Sequence, residues 1–89
     1  MANKNVLIIG AGGVAQVTAH KIAQWAGEFG DLHIANRTQS KADAILDTLR
    51  DKGHKMPFTS HALDAMDSDA VAALIRKVDA GIVINVGTA

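Results

Sequence analysis

Val6-Leu-Ile-Ile-Gly-Ala-Gly-Gly-Val-Ala15 decides how the rest of this chain is read. The first four residues are a continuous β-branched and leucine run, the signature of a strand buried on both faces of a parallel sheet. They lead directly into Gly10-Ala-Gly-Gly-Val-Ala15, a Gly-x-Gly-x-x-Ala pattern, and then into a helical pattern. That is where a dinucleotide-binding fold turns from its first strand into its first helix. Gly10 allows the tight turn, Gly12 lets a pyrophosphate approach the backbone, and Gly13 and Val14 continue the loop. Ala15 is small enough for helix to pack on strand. Free amides and the positive helix end then face the phosphates. Glycines in such a stretch also mark plain turns; the strand before and the helix after favour the phosphate loop.

Working outward, Met1 to Asn5 is a polar lead-in. After the loop, Val14, Thr18, Ile22 and Trp25 fall on one helical line, and Ala15, Ala19, Ile22 and Ala26 on the next. The helix is expected to end between Gly27 and Gly30, with Trp25 in the core. Leu32–Ala35 reads as a second strand. Ser40 and Asp43 form a capping pair for a second helix with the stripe Ala42, Ile45, Leu46, Leu49, ended by Gly53. Met56–Ser60 is expected to be a third strand, at a sheet edge because of Pro57. His61–Asp67 reads as a loop, and Ser68 as the cap of a third helix facing inward through Val71, Leu74, Ile75 and Val78. Gly81–Val86 is a fourth strand. Strictly alternating strands and helices predict an α/β, Rossmann-type parallel sheet in the order 3-2-1-4, with helices on both faces: the first part of a doubly wound fold.

The 89 residues suffice for one domain spanning 1–89. Charged residues make up 20%, aromatics 3%, and the formal net charge is zero. This offers nothing to attract nucleic acid or an anionic membrane. No cysteine is present, so disulfides and thiol chemistry are excluded, in keeping with the reducing cytoplasm. The N-terminal apolar run is too short for a signal peptide.

The second informative stretch is Asn36-Arg-Thr38. A fold that binds NAD usually carries an acid at the end of its second strand for the ribose 2′-hydroxyl. Here Asn36 stands 21 residues past Ala15. Asn36 removes the charge that would repel a 2′-phosphate, and Arg37 offers a planar fork that suits one. Thr38 and Lys41 add a hydroxyl and a second cation. The pattern favours NADP over NAD; the bland reading is a turn asparagine beside a solvated arginine. Asp64-Ala-Met66 is placed to reach an adenine, Asp64 by accepting a hydrogen bond from the adenine amino group and Ala65 and Met66 by packing, unless these are simple loop residues. Gly87 and Thr88 follow the fourth strand on the side expected for pyrophosphate or nicotinamide ribose. His20, His33, His54 and His61 have no metal-like spacing and read as structural or solvated. No nucleophile–base pair is visible, so the sequence presents a cofactor site without catalytic residues and without a metal site.

Taken together, Asn5-Val-Leu-Ile-Ile-Gly-Ala-Gly-Gly-Val-Ala15, His20-Lys21, Ile34-Ala-Asn-Arg-Thr38, Ser40-Lys41 and Val83-Ile-Asn-Val-Gly-Thr-Ala89 resemble the saccharopine dehydrogenase family, most of all its carboxynorspermidine dehydrogenase branch. Where Asn36 stands, the family more often has serine. The resemblance implies an NADPH-dependent oxidoreductase acting on C–N bonds, in the polyamine branch by reducing the imine formed from an aldehyde and a diamine. It assigns Gly10, Gly12, Gly13, Val14 and Ala15 to the pyrophosphate, Asn36, Arg37 and Thr38 to the 2′-phosphate, and Gly87 and Thr88 to the nicotinamide side. Family members are longer, with a substrate domain following the segment seen here. The fragment alone is therefore expected to be inactive, and its uncovered fourth strand is expected to drive homo-oligomerisation. A regulatory, nucleotide-sensing module without catalysis is the competing reading.

Overall fold

The computed structural model describes residues 4–87. Four strands and three helices alternate: β1 (Val6–Ile9), α1 (Gly13–Gln24), β2 (Leu32–Asn36), α2 (Gln39–Asp51), β3 (Phe58–Ala62), α3 (Ser68–Val78) and β4 (Ile82–Asn85). All pairings are parallel and the order is β3-β2-β1-β4, as the alternation predicts. Ile8 pairs with Ile34 on one side and Ile84 on the other, placing β1 at the centre.

Residues of β1 are buried on both faces, and each face has its own core. Val6 and Ile8, with Leu32 and Ile34, pack against Ala15, Ala19 and Ile22 of α1 and Ile45, Leu46 and Leu49 of α2. Leu7 and Ile9, with Ala35, pack against Leu63 and against Leu74 and Val78 of α3. The valine, leucine and isoleucine side chains among them, moved from water into the core, stabilise the fold by roughly 1.5–3 kcal/mol each.

Several local details differ from expectation. Helix α1 presents its small residues to the sheet: Ala15, Ala19 and Ala23 are buried, whereas Val14, Val17 and Trp25 lie about two-thirds exposed. The helix starts directly after the glycine loop and packs close, with alanines at Ala15, Ala19 and Ala23 and one larger side chain, Ile22, turned to the sheet. Trp25 is thus not a core residue; it ends α1, and a single 3₁₀ turn, Ala26–Glu28, follows. Helix α2 begins at Gln39 with Thr38 at its N-cap, so Ser40 lies inside the helix and forms no capping pair with Asp43. The Asp43 carboxylate instead accepts from the Ser60 hydroxyl on β3. Asp67, not Ser68, caps α3, accepting from the Ala70 amide at 3.1 Å. Strand β3 begins only after Pro57, which has no N–H to give, and runs two residues further than expected. His61 therefore belongs to a strand rather than a loop.

Asn5 is more than a polar lead-in. Its carbonyl accepts from the Gly81 and Ile82 amides. Its side chain donates to the Val78 carbonyl at 3.1 Å and accepts from the Asp31 amide at 2.9 Å. One residue thus ties the entries of β1, β2 and β4 to the end of α3, at the edge opposite the glycine loop. No helix among the described residues is long and apolar enough to cross a membrane.

Candidate dinucleotide site

At the carboxyl ends of the strands a crevice of about 590 Å³ opens between the loops that follow β1, β2, β3 and β4, the place where open parallel sheets take ligands. Its volume falls in the range of small-molecule sites. Gly10 adopts a positive φ of 119°, a conformation that favours glycine. Its amide donates to the Ala35 carbonyl at 2.8 Å, tying the loop to β2. A Cβ at Gly10 would stand 2.8 Å from the amide nitrogen of Gly87, so the chain after β4 closes down on the loop. Gly12 is the N-cap of α1, with no side-chain cap and no acid in the first turn. The first amides of α1 are thus left to an external acceptor. A Cβ at Gly12 or Gly13 would meet nothing within 4 Å. Both glycines line the crevice.

The other predicted site residues divide clearly. Gly10, Gly12, Gly13 and Val14 line the crevice, as do Asn36, Arg37 and Lys41 on one wall, Asp64 and Ala65 on the next, and Gly87 at the back. Ala15 is fully buried on the sheet-facing side of α1 and acts in packing. Thr38 is the N-cap of α2 and does not line the crevice. Thr88 lies outside the described residues. The Asn36 side-chain amide donates to the Thr38 carbonyl at 3.0 Å, which fixes the turn after β2. Met66 also lines the crevice and is largely exposed.

The charges at the mouth are Arg37, Lys41 and one carboxylate, Asp64. Arg37 and Asp64, 27 residues apart in sequence, meet at 3.1 Å. The Met66 amide donates to the same Asp64 oxygen at 2.9 Å. This hydrogen bond and the Arg37 guanidinium hold the Asp64 carboxyl below its ordinary range.

One polar pair escaped sequence reading. His33 Nδ1 lies 2.9 Å from His61 Nε2, on adjacent strands and two residues apart in register, His61 pairing with Ala35 and His33 with Thr59. Spacing along the chain carries no signal of this, because only the β2–β3 register brings the two together. Burial lowers the pKa of both rings, and the neighbouring His33 and Lys77 lower that of His61 further.

Comparison with known proteins agrees with this fold. The chain is 41% identical over 86 residues to carboxynorspermidine synthase of Vibrio alginolyticus, covering 92% of this chain and 21% of that protein. It is 37% identical over 81 residues to carboxyaminopropylagmatine dehydrogenase of Synechocystis sp., covering 91% of this chain and 19% of the relative. Ligand-free 5-ketofructose reductase of Gluconobacter sp. strain CHM43 superposes with a TM-score of 0.58 at 32% identity, over 71% of this chain and 22% of that one. The chain thus spans about a fifth of the length of the curated relatives it matches. Residues 6–89 match the saccharopine dehydrogenase NADP-binding domain, and the chain belongs to that family of NADP-binding domains.

Proposed function

We propose that this domain is the NADP(H)-binding part of an oxidoreductase that acts on C–N bonds, reducing the imine formed from an aldehyde and an amine, as in polyamine synthesis. One observation carries the cofactor reading. An uncapped helix N-terminus at Gly12, with open space above it, shares a crevice with Arg37 and Lys41 where an NAD-binding fold has an acid. The amides of Gly13 and Val14 would bind the pyrophosphate. Arg37 would hold the 2′-phosphate, with Lys41 adding positive charge beside it and Asn36 presenting no charge against it. Asp64 and Ala65 would border the adenine, and Gly87 the nicotinamide end. When bound, the nicotinamide supplies hydride; this chain binds and orients it. The substrate class rests on likeness to enzymes called carboxynorspermidine synthase and carboxyaminopropylagmatine dehydrogenase. A cysteine-free chain fed by NADPH suits the cytoplasm, and the β4 edge offers a surface for homo-oligomers.

The test is titration of the protein with NADPH and with NADH, followed by calorimetry and by nucleotide fluorescence. Tighter binding of NADPH is expected. Equal affinities, or no binding of either, would overturn the cofactor reading.

A further inference from the structure

Arg37 reaches the crevice mouth from the turn after β2, and Asp64 from the turn after β3. The two partners of this ion pair are held very differently. Asp64 is fixed by backbone: its Oδ1 accepts the Met66 amide at 2.9 Å, and its carbonyl accepts the Asp67 amide at 3.0 Å. The Arg37 side chain is 75% exposed and long, so it is the partner free to move. On the reading that this crevice binds NADP(H), we infer that Asp64 is a specificity-determining residue that competes with the cofactor's 2′-phosphate for Arg37. The guanidinium sits on Asp64 until a phosphate takes it, and the carboxylate stays behind as a fixed negative charge nearby.

The chemistry gives the direction. A phosphate monoester at neutral pH is acceptor-only and carries close to two negative charges, and an ionised Asp64 is acceptor-only as well. The two cannot bond to each other, and both demand the same donor. A nucleotide without the 2′-phosphate has no such quarrel with Asp64. The carboxylate therefore weakens binding of the phosphorylated cofactor selectively, which keeps it exchangeable. Met66 and Arg37 hold the carboxyl in its charged form, so the carboxylate is ionised at neutral pH.

The experiment is Asp64→Asn, which keeps the shape and still offers an oxygen to the Met66 amide. Exposed ion pairs are worth little, so the Kd for NADPH is expected to fall by about twofold to fivefold, with the Kd for NADH unchanged. The effect should shrink in an Arg37→Ala background, where only the repulsion between carboxylate and phosphate is left. In the unmutated protein, carboxyl NMR should show the Asp64 pKa rising on saturation with NADP+ but not with NAD+. If Asp64→Asn weakens or leaves unchanged the binding of NADPH, or shifts both cofactors equally, Asp64 supports or borders the nucleotide rather than competing with it, and the inference falls. If the unmutated protein binds no NADPH, the cofactor reading falls too; if it binds NADPH and Asp64→Asn changes nothing, only this inference is lost.

Discussion

Gly10 and Gly87 lie backbone against backbone where β1 and β4 leave the sheet. A methyl group on Gly10 would stand 2.8 Å from the Gly87 nitrogen and 2.9 Å from its α-carbon. Neither contact is with a flexible side chain, so nothing can swing aside. The φ of 119° at Gly10 adds backbone strain for any residue with a Cβ. Gly10→Ala is expected to destabilise the fold by about 2–4 kcal/mol. Urea denaturation measures this directly; a loss below about 0.5 kcal/mol, the size of a surface change, would show that the loop relaxes freely.

Gly12 makes the opposite case. Its φ of −85° is open to any residue, and a Cβ there meets nothing. Gly12→Val should leave the denaturation midpoint within the range of a surface substitution, about 0.5 kcal/mol. On the proposed cofactor reading the branched side chain would crowd the backbone that the pyrophosphate approaches, so NADPH binding should be lost. Unchanged binding in calorimetry would mean the pyrophosphate does not sit on this loop.

Arg37→Ala should remove the preference for NADPH over NADH, at a cost of about 1.5–3 kcal/mol in NADPH affinity for one lost charged hydrogen bond. NADH affinity should change little, because that nucleotide has nothing at the 2′ position for Arg37 to hold. A preference that survives the substitution would assign the phosphate to Lys41 instead.

The fold and the glycine loop were legible because they depend on local features: a β-branched run, a turn of glycines, and alternation of strand and helix. Strand β1 falls at the expected residues, and the order 3-2-1-4 is the one expected of the first part of a doubly wound fold. What sequence could not give was tertiary choice. Helix α1 has apolar residues on two lines, and only packing against the sheet decides that the alanines face in and Trp25 faces out. The caps fall at Thr38 and Asp67 rather than at Ser40 and Ser68, because Thr38, two places before Ser40, and Asp67, one before Ser68, already occupy the non-helical position. At the site, residue types were readable but pairings were not. Arg37 with Asp64 and His33 with His61 depend on strand register and loop placement, at separations of 27 and 28 residues.

The histidine pair predicts a pH dependence. A ring-to-ring hydrogen bond needs one nitrogen to donate and the other to accept, so protonating both rings breaks it. Burial lowers both pKa values, His61 additionally through His33 and Lys77, while Asp31 opposes the shift at His33. A lowered histidine pKa means the unfolded chain takes up protons more readily than the folded one. The stability is therefore complete above the ordinary histidine pKa and falls as pH drops through it towards the lowered values. His20, whose pKa is also lowered, by burial and by Lys52 and His54, contributes in the same sense. Melting temperature should be flat from about pH 7.5 to 8.5 and decline below about pH 6.5. His61→Gln should flatten that decline. An equally steep decline in His61→Gln would assign the acid sensitivity elsewhere.

The two edges of the sheet are protected unequally, and this predicts how the domain associates. On β3, Arg50 donates to the Phe58 carbonyl and Gln39 to the Ser60 carbonyl, each at 3.3 Å. Pro57 precedes the strand, and such features keep other strands away. Strand β4, Ile-Val-Ile-Asn, carries no charge, pairs only with β1 among the described strands, and leaves Val83 41% exposed. Its outer edge is therefore the better template for another chain. The simplest closed arrangement is a two-fold pair with the β4 strands antiparallel, continuing one sheet across both copies. Light scattering over a concentration series should show a monomer–dimer equilibrium. Val83→Lys places a charge beside its own copy across the two-fold and should shift the protein to monomer without loss of melting temperature at low concentration. A unmutated protein that stays monomeric at every concentration would show the β4 edge to be inert. A dimer indifferent to Val83→Lys would place the contact on another surface, and the exposed line of Val14, Val17 and Trp25 on α1 would be the next to substitute.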